Sequence, residues 1–252
     1  GTLSVIINDE ILEITTMRVD GDYTDNRHPD WVKFVPTVEE DLSRRDFTVN
    51  AMAFHPKTGY IDPFGGQKDL QKGILRAVGD PETRFQEDAL RILRGVRFAC
   101  RFNLTPEEKT LQAMENLADL LDSLAVERVY SEMTQILCLM DSENLNTYRT
   151  VILQVIPELK DSNGFLQHNK NHAYDVLTHT AHVLGGVEKD PALRWAALLH
   201  DVGKPQTFTQ DETGTGHFYG HAQVSAQLAD KALRELKAPT ALREEVCLLV
   251  DQ

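Results

Sequence analysis

Apolar positions near the start of the chain cluster in short β-branched runs. Leu3–Ile7 and Ile11–Met17 flank Asn8-Asp9-Glu10, a pattern that predicts a hairpin. Residues 20–30, rich in Asp, Gly, Asn and Pro, read as a loop, and Trp31–Val35 as a strand. Val38–Leu42 and Phe47–Ala53 have the look of short helices, and His55-Pro56-Lys57-Thr58-Gly59 of a turn between extended pieces. From Asp80 the spacing becomes helical, with Leu90, Leu93, Val96 and Phe98 forming a stripe. Pro106 suits the first turn of a further helix. Helical patterns then cover Val126–Met140, Asn144–Val155, Tyr174–Val187, Pro191–Val202, His221–Leu236 and Thr240–Val250. The polar, broken stretch Pro157–Asn169 is the expected domain boundary. Both ends of the 252 residues enter ordered patterns abruptly, which suggests a piece, or the ordered part, of something longer.

Composition narrows the class. A chain that is 41% hydrophobic and 26% charged is ordinary for a soluble globular protein. No run approaches the roughly 18 apolar residues of a membrane span, and no basic-then-apolar leader opens the chain, so no membrane partner is expected. Cys100, Cys138 and Cys247 are scattered without a Cys-x-x-Cys pair, which fits a reducing, cytoplasmic setting. The net charge of -13, taken alone, argues against nucleic-acid binding. The charge is uneven, however. On a helix Arg94, Arg97 and Arg101 make a basic stripe able to hold RNA with steep salt dependence, or else a solvated face.

Three groups of residues carry candidate chemistry. In Arg44-Arg45-Asp46 with Asn50, the i, i+4 spacing of Asp46 and Asn50 places a carboxylate and an amide on one helix face beside fixed positive charge. That suits a ribose hydroxyl next to a triphosphate; a surface Arg–Asp pair is the plain alternative. Asp88 and Arg91, at i, i+3, offer an acceptor for an amino group and a donor for a ring nitrogen. Cytosine and adenine match that order, whereas guanine and uracil reverse it. Glu87 and Arg84 are expected to brace this helix. Finally, His179, the doublet His200-Asp201 and Asp251 offer imidazoles and carboxylates suited to a divalent transition metal, with Lys204 as a phosphate contact and His221 as a further ligand or phosphate contact. His168, His172 and His182 lie nearby in the chain with less specific spacing.

These strings also carry a resemblance. Arg44-Arg45-Asp46 through Asn50-Ala51-Met52, Asp62-Pro63-Phe64-Gly65-Gly66, Arg76-Ala77-Val78-Gly79-Asp80-Pro81, Glu87-Asp88-Ala89-Leu90-Arg91 and Glu127-Arg128 resemble the motifs of the bacterial CCA-adding tRNA nucleotidyltransferase and poly(A) polymerase family. From about residue 165 the chain resembles the HD metal-dependent phosphohydrolase domain. The resemblance implies an α+β fold: a partial nucleotidyltransferase palm of mixed β-sheet and helices, then an all-α neck and body and an all-α HD domain. The implied boundaries are 1–62 for the head, 63–105 for the nucleotide-selecting neck, 106–160 for the RNA-binding body and 161–252 for the HD domain. It implies nucleotide contacts at Arg45, Asp46, Asn50, Asp88, Arg91 and Arg94, and RNA contacts at Arg97, Arg101 and Arg128. The implied partners are tRNA, CTP and ATP.

The family's Mg2+ pair sits on an Asp-x-Asp strand after a Gly-Gly-x-x-Arg-Asp turn, and neither element is present here. Asp20-Gly21-Asp22 matches the pattern but falls in the turn-rich stretch and is read as loop; Glu13, on the second predicted strand, is the better catalytic carboxylate. For the HD region the resemblance implies Mn2+, Co2+ or Ni2+ and hydrolysis of cyclic or terminal phosphates at damaged tRNA ends. Relatives adding only A or only C, or making poly(A), would share the motifs. A phosphohydrolase whose upstream part binds RNA, and a non-catalytic RNA-binding piece, are the readings from other classes.

Overall fold

The computed structural model describes residues 2–21, 30–168 and 173–252; Asp22 and His172 lie outside the described residues. The chain forms two compact units. One holds residues up to Arg91 together with Leu104–Ala113, the other Ile92–Asn103 and Met114–Gln252.

In the first unit β1 (Thr2–Ile7) and β2 (Glu10–Thr15) form the expected antiparallel hairpin, with Ile6 opposite Ile11. Asn8 and Asp9 turn the chain at φ of 50° and 65°, the left-handed region that these two residue types tolerate best after glycine. Leu3, Ile6, Ile11 and Ile14 are all exposed. β3 (Arg18–Asp20) pairs with β4 (Val32–Phe34), and α1 (Val38–Ser43) follows. Asp20 therefore ends a strand and is not in a loop.

The helix expected over Phe47–Ala53 does not form. Thr48–Asn50 make one 3-10 turn and β5 (Ala53–His55) pairs with β6 (Gly59–Ile61). Competing partners explain the difference. Phe47 is fully buried and bridges Ala77, the Thr48 N–H donates to the Arg76 carbonyl, and the Thr48 hydroxyl donates to the buried carboxylate of Asp69 at 2.8 Å. β-branched Thr48 and Val49 resist an α-helix little more than they favour one, so these contacts decide. α2 (Gly66–Lys72) follows and ends on Gly73 at φ 67°. After β7 (Ile74–Leu75) comes α3 (Pro81–Glu87), capped by Asp80 through the Thr83 N–H. α4 (Leu90–Phe102) starts after a break at Asp88, where φ is -146° and ψ 101°. β8 (Thr105–Pro106) pairs in parallel with β7, so Pro106 closes a strand pairing and α5 (Glu108–Asn116) starts beyond it. The core gathers Leu42, Ala51 and Val78 against Val38, Ile61 and Phe64.

The second unit is helical: α6 (Val126–Leu139), α7 (Ser142–Thr147), α8 (Arg149–Val155), α9 (Val176–Gly186), α10 (Pro191–Leu199) and α11 (Lys204–Thr207). The short hairpin of β9 (Thr209–Gln210) and β10 (Gly216–His217) leads to α12 (His221–Glu235) and α13 (Thr240–Val250). The helix expected over Asn144–Val155 is split at buried Tyr148. Helices on both sides of Pro157–Asn169 share one core. The Trp195 indole N–H donates to the Thr134 hydroxyl at 3.1 Å, and the buried Arg194 guanidinium donates to the Met140 and Leu184 carbonyls. The body and HD segments thus pack as one unit. Burial pushes the Cys100 thiol up to about 12, and all three cysteines are free. Among the described residues the strands form five two-stranded ladders, and no helix is long and apolar enough to cross a membrane.

Gly66 lies so close to the Thr48 carbonyl that a Cβ would run into it. Gly66→Ala is expected to push α2 off the 3-10 turn and destabilise the protein by about 1–3 kcal/mol, read as a lowered denaturant midpoint. An unchanged midpoint would mean that the contact relaxes freely.

Candidate nucleotide and metal sites

The first unit holds a corner of interlocked charges. Asp41 of α1 is buried and accepts from the Arg18 backbone N–H at 3.1 Å, from Arg44 Nη2 at 2.6 Å and from Arg45 Nη2 at 3.0 Å. Burial alone would raise its carboxyl, but the hydrogen bonds from Arg44, Arg18 and Arg45 outweigh it and hold Asp41 below the usual carboxylate range. Asp20 pairs with Arg18 and Arg44, so its carboxylate is occupied by guanidinium groups. Asp46 is buried, with Oδ1 accepting from the Phe47 N–H at 2.9 Å and from Asn50 Nδ2 at 3.2 Å. Asp46 and Asn50 do meet, through a 3-10 turn and not along an α-helical face. Arg45 keeps 41% of its side chain exposed and is the arginine of the doublet most open to a ligand.

A second motif folds onto this corner. Arg91 at the start of α4 donates from Nη2 to the Arg44 carbonyl at 3.1 Å, and from Nη1 to Glu87 at 2.6 Å and to the Arg84 carbonyl at 3.1 Å. Arg84 also pairs with Glu87 at 2.7 Å, the bracing expected of it. Asp88 is not on a helix with Arg91. Its extended backbone interrupts α3 and α4, and its Oδ1 accepts from the Leu90 N–H at 3.1 Å, as a cap does. Helix propensity missed this break because residues 81–102 hold strong helix formers on either side of it.

Other expected contacts fare differently. Glu13 is exposed on β2, opposite Ser4, and among the described residues it is in no cluster close enough to share an ion. In the second unit Arg97 is paired with buried Glu132 at 2.6 Å and lines the same open groove as Arg101. Arg94 lies over Phe98, while Arg101 is exposed and lines an open groove with Gln135, Cys138 and Leu139. Arg128 on α6 is half-buried, with an Nη1 that has no hydrogen-bond partner.

The HD residues converge as expected in part. His179 of α9 and His200, at the end of α10, face Asp201, with Nε2 atoms 3.5 Å and 3.1 Å from its Oδ2. His221, at the start of α12, faces Oδ1 at 3.5 Å. His200 Nδ1 lies 2.9 Å from the Ala197 carbonyl and His221 Nδ1 lies 2.8 Å from that of Phe218. A carbonyl only accepts, so each Nδ1 carries a proton and each Nε2 is the ring atom turned toward the carboxylate. Asp201 is buried, and its Oδ2 also has Lys204 Nζ at 2.8 Å. Burial would raise Asp201, but His200 and Lys204 hold it far below the usual range. Among the described residues His179, His200 and Asp201 are the three close enough to share one ion, a donor set that suits a divalent metal.

Two expectations fail at this site. Asp251 is exposed at the end of α13, outside the cluster, because the capped helix end turns its side chain to solvent. Lys204 does not offer an open charge to a phosphate. It is only 6% exposed, bridging Asp201 at 2.8 Å and Gln167 Oε1 at 2.9 Å. His168 and His182 lie against the rings of Phe208 and Tyr174. Sequence reasoning missed Asp41 and Gln167. The i, i+3 and i+4 steps from Asp41 to Arg44 and Arg45 were a usable signal; nothing in the spacing marks Gln167.

Residues 1–76 match the poly A polymerase head domain, 103–161 the probable RNA and SrmB-binding site of polymerase A, and 170–252 the HD domain. Over 235 residues the chain is 39% identical to the A-adding tRNA nucleotidyltransferase of Deinococcus radiodurans, covering 88% of this chain and 54% of that protein. The relatives that the chain matches are named as one group, the CCA-adding and A-adding tRNA nucleotidyltransferases. Within it, the chain is 49% identical over 137 residues to the CCA-adding enzyme of Streptococcus mutans, covering 54% of this chain and 34% of that protein. The structure of the Bacillus stearothermophilus CCA-adding enzyme in complex with CTP superposes with a TM-score of 0.68 at 28% identity, over 99% of this chain and 53% of that one. The chain thus spans about half the length, or less, of the family relatives it matches.

Two outcomes test this geometry. Asp41 has a lowered native pKa, so its contribution is complete above the unfolded value of about 4 and is lost as pH falls through the lower native value. Asp41→Asn should therefore cost about 2–3 kcal/mol in denaturant titrations near neutral pH, with the gap closing in acid. For the HD cluster, calorimetry with Mn2+, Co2+ or Ni2+ should show binding that weakens at least about tenfold in His200→Ala. Equal, weak uptake by both proteins would mean a scaffold that keeps the helices without the ion.

Proposed function

We propose that this chain is part of a tRNA nucleotidyltransferase that adds C and A from CTP and ATP to tRNA 3′ ends without a nucleic-acid template. The observation that carries this is the bond from Arg91 to the Arg44 carbonyl, which ties the base-selecting motif to the Arg44-Arg45-Asp46 segment. A guanidinium has five N–H donors. Three from Arg91 are spent inside the corner, which fixes the direction in which the rest meet a base. Asp88, released from the helix, would accept from the amino group of cytosine or adenine. Guanine or uracil would set donor against donor and acceptor against acceptor, at roughly 1–3 kcal/mol per unmade bond. Arg45 and Asn50 would meet the triphosphate and ribose, with Asp46 orienting Asn50. Arg94 belongs to the same motif, and Arg101 and Arg128 would meet RNA. Mg2+ would neutralise the triphosphate and activate the attacking 3′-hydroxyl, held by aspartates that are not among these 252 residues.

The cluster of His179, His200, Asp201 and His221 supports a second activity, metal-dependent hydrolysis of phosphate esters such as cyclic or terminal phosphates on RNA. Its residues suit Mn2+, Co2+ or Ni2+, which when bound would polarise the ester and supply hydroxide. Asp201 would hold the ion, the Nε2 atoms would complete its ligands, and Lys204 would keep Asp201 ionised and in place.

In the whole protein, Asp88→Asn should lower the preference for CTP and ATP over GTP and UTP by about 10- to 200-fold, measured as labelled incorporation into tRNA lacking its 3′ end. The expected loss of stability is small, since Asn keeps an oxygen to cap Leu90. Selectivity equal to wild type would reduce Asp88 to a helix cap.

A further inference from the structure

Beside the HD cluster, the chain from β10 into α12 alternates its side chains. Phe218 points inward, with its ring against Phe165 and Phe208 and 5.4 Å from Lys204 Nζ. His217 and Tyr219, its neighbours in a two-residue period, point the other way and stack on each other, centroids 5.4 Å apart and planes at 10°. The pair is fixed from below. His217 Nε2 lies 3.0 Å from Asp211 Oδ2, and Asp211 also accepts from the Thr213 hydroxyl and from the Thr213 and Thr215 N–H groups. Tyr219 remains 77% exposed although its ring is held flat. Gly220, at φ 74°, then turns the chain so that the next residue, His221, faces Asp201. Tyr219 thus follows Phe218, whose ring meets Lys204, and its Cα lies within two Cα steps of roughly 3.8 Å from that of His221, which faces Asp201.

An ordered aromatic face turned to solvent has no packing role, and its neighbours are a candidate phosphate site. We propose that the His217–Tyr219 stack is a nucleobase platform: a nucleotide whose phosphate sits at His179, His200, Asp201 and His221 lays its base on Tyr219. This rests on reading the cluster as a phosphoester site. Stacking tolerates every base, so the platform would make the site select nucleotides over simple phosphates without selecting a sequence.

The test uses the full 252-residue chain loaded with Mn2+. Calorimetry is run with inorganic phosphate, with adenosine 3′-monophosphate and with a short RNA ending in a 3′-phosphate. Tyr219→Ala should weaken one or both base-bearing ligands about tenfold or more, while inorganic phosphate and Mn2+ affinities stay within about twofold of wild type. Tyr219→Phe, which keeps the ring, should match wild type. Loss for RNA alone assigns the platform to RNA ends, and loss for both assigns it to nucleotides in general. An equal loss for phosphate, or no loss for any ligand, would overturn the platform. Failure of the wild type to bind inorganic phosphate would overturn the phosphoester site itself and the platform with it.

Discussion

A carboxylate taken out of water has to be met by donors, and three buried carboxylates organise what surrounds them here. Asp41 collects Arg44, Arg45 and the Arg18 backbone; Asp69 collects the Thr48 hydroxyl and Arg76; Asp201 collects Lys204 and, by proximity, three imidazoles. Each would be costly alone. The first two are closed by the protein's own arginines and hydroxyl and so are structural. The third sits among three imidazoles as well as Lys204, a donor set of the kind that suits a divalent metal.

The same distinction reorders the arginines. Arg44, Arg84, Arg91 and Arg97 are all engaged with carboxylates or carbonyls of their own unit. Arg45 and Arg101 keep more of their length in solvent. On an acidic chain this matters, because only exposed guanidinium groups can neutralise phosphates, and the acidic remainder repels a polyanion that is out of register.

Much of this was legible in the sequence, for physical reasons that differ by element. The first hairpin was, since Asn8-Asp9 between β-branched runs leaves few alternatives. Most helices from Val126 onward were, because their apolar stripes bury into one core, although the one expected over Asn144–Val155 divides at Tyr148. His179, His200 and Asp201 were, since the apolar run of α10 fixes where the doublet lands. Local pattern does not encode partners distant in sequence. Phe47–Ala53 lost its helix to Arg76, Ala77 and Asp69; Lys204 lost its open position to Gln167, 37 residues away. The break at Asp88 and the exposed end at Asp251 were invisible for the same reason: both depend on what the ends of neighbouring helices find to bond.

The hairpin of β1 and β2 has one more implication. Its large apolar side chains are exposed on both faces, so sliding one strand past the other by a residue would change little in what is buried. The register is therefore carried by Asn8 and Asp9 at positive φ, two residues doing what a core does elsewhere. Among the described residues neither strand has a second neighbour, so each offers an open, sticky edge to another copy. Concentrated samples of this span would then be limited in solubility by its first fifteen residues, long before any helix loosens.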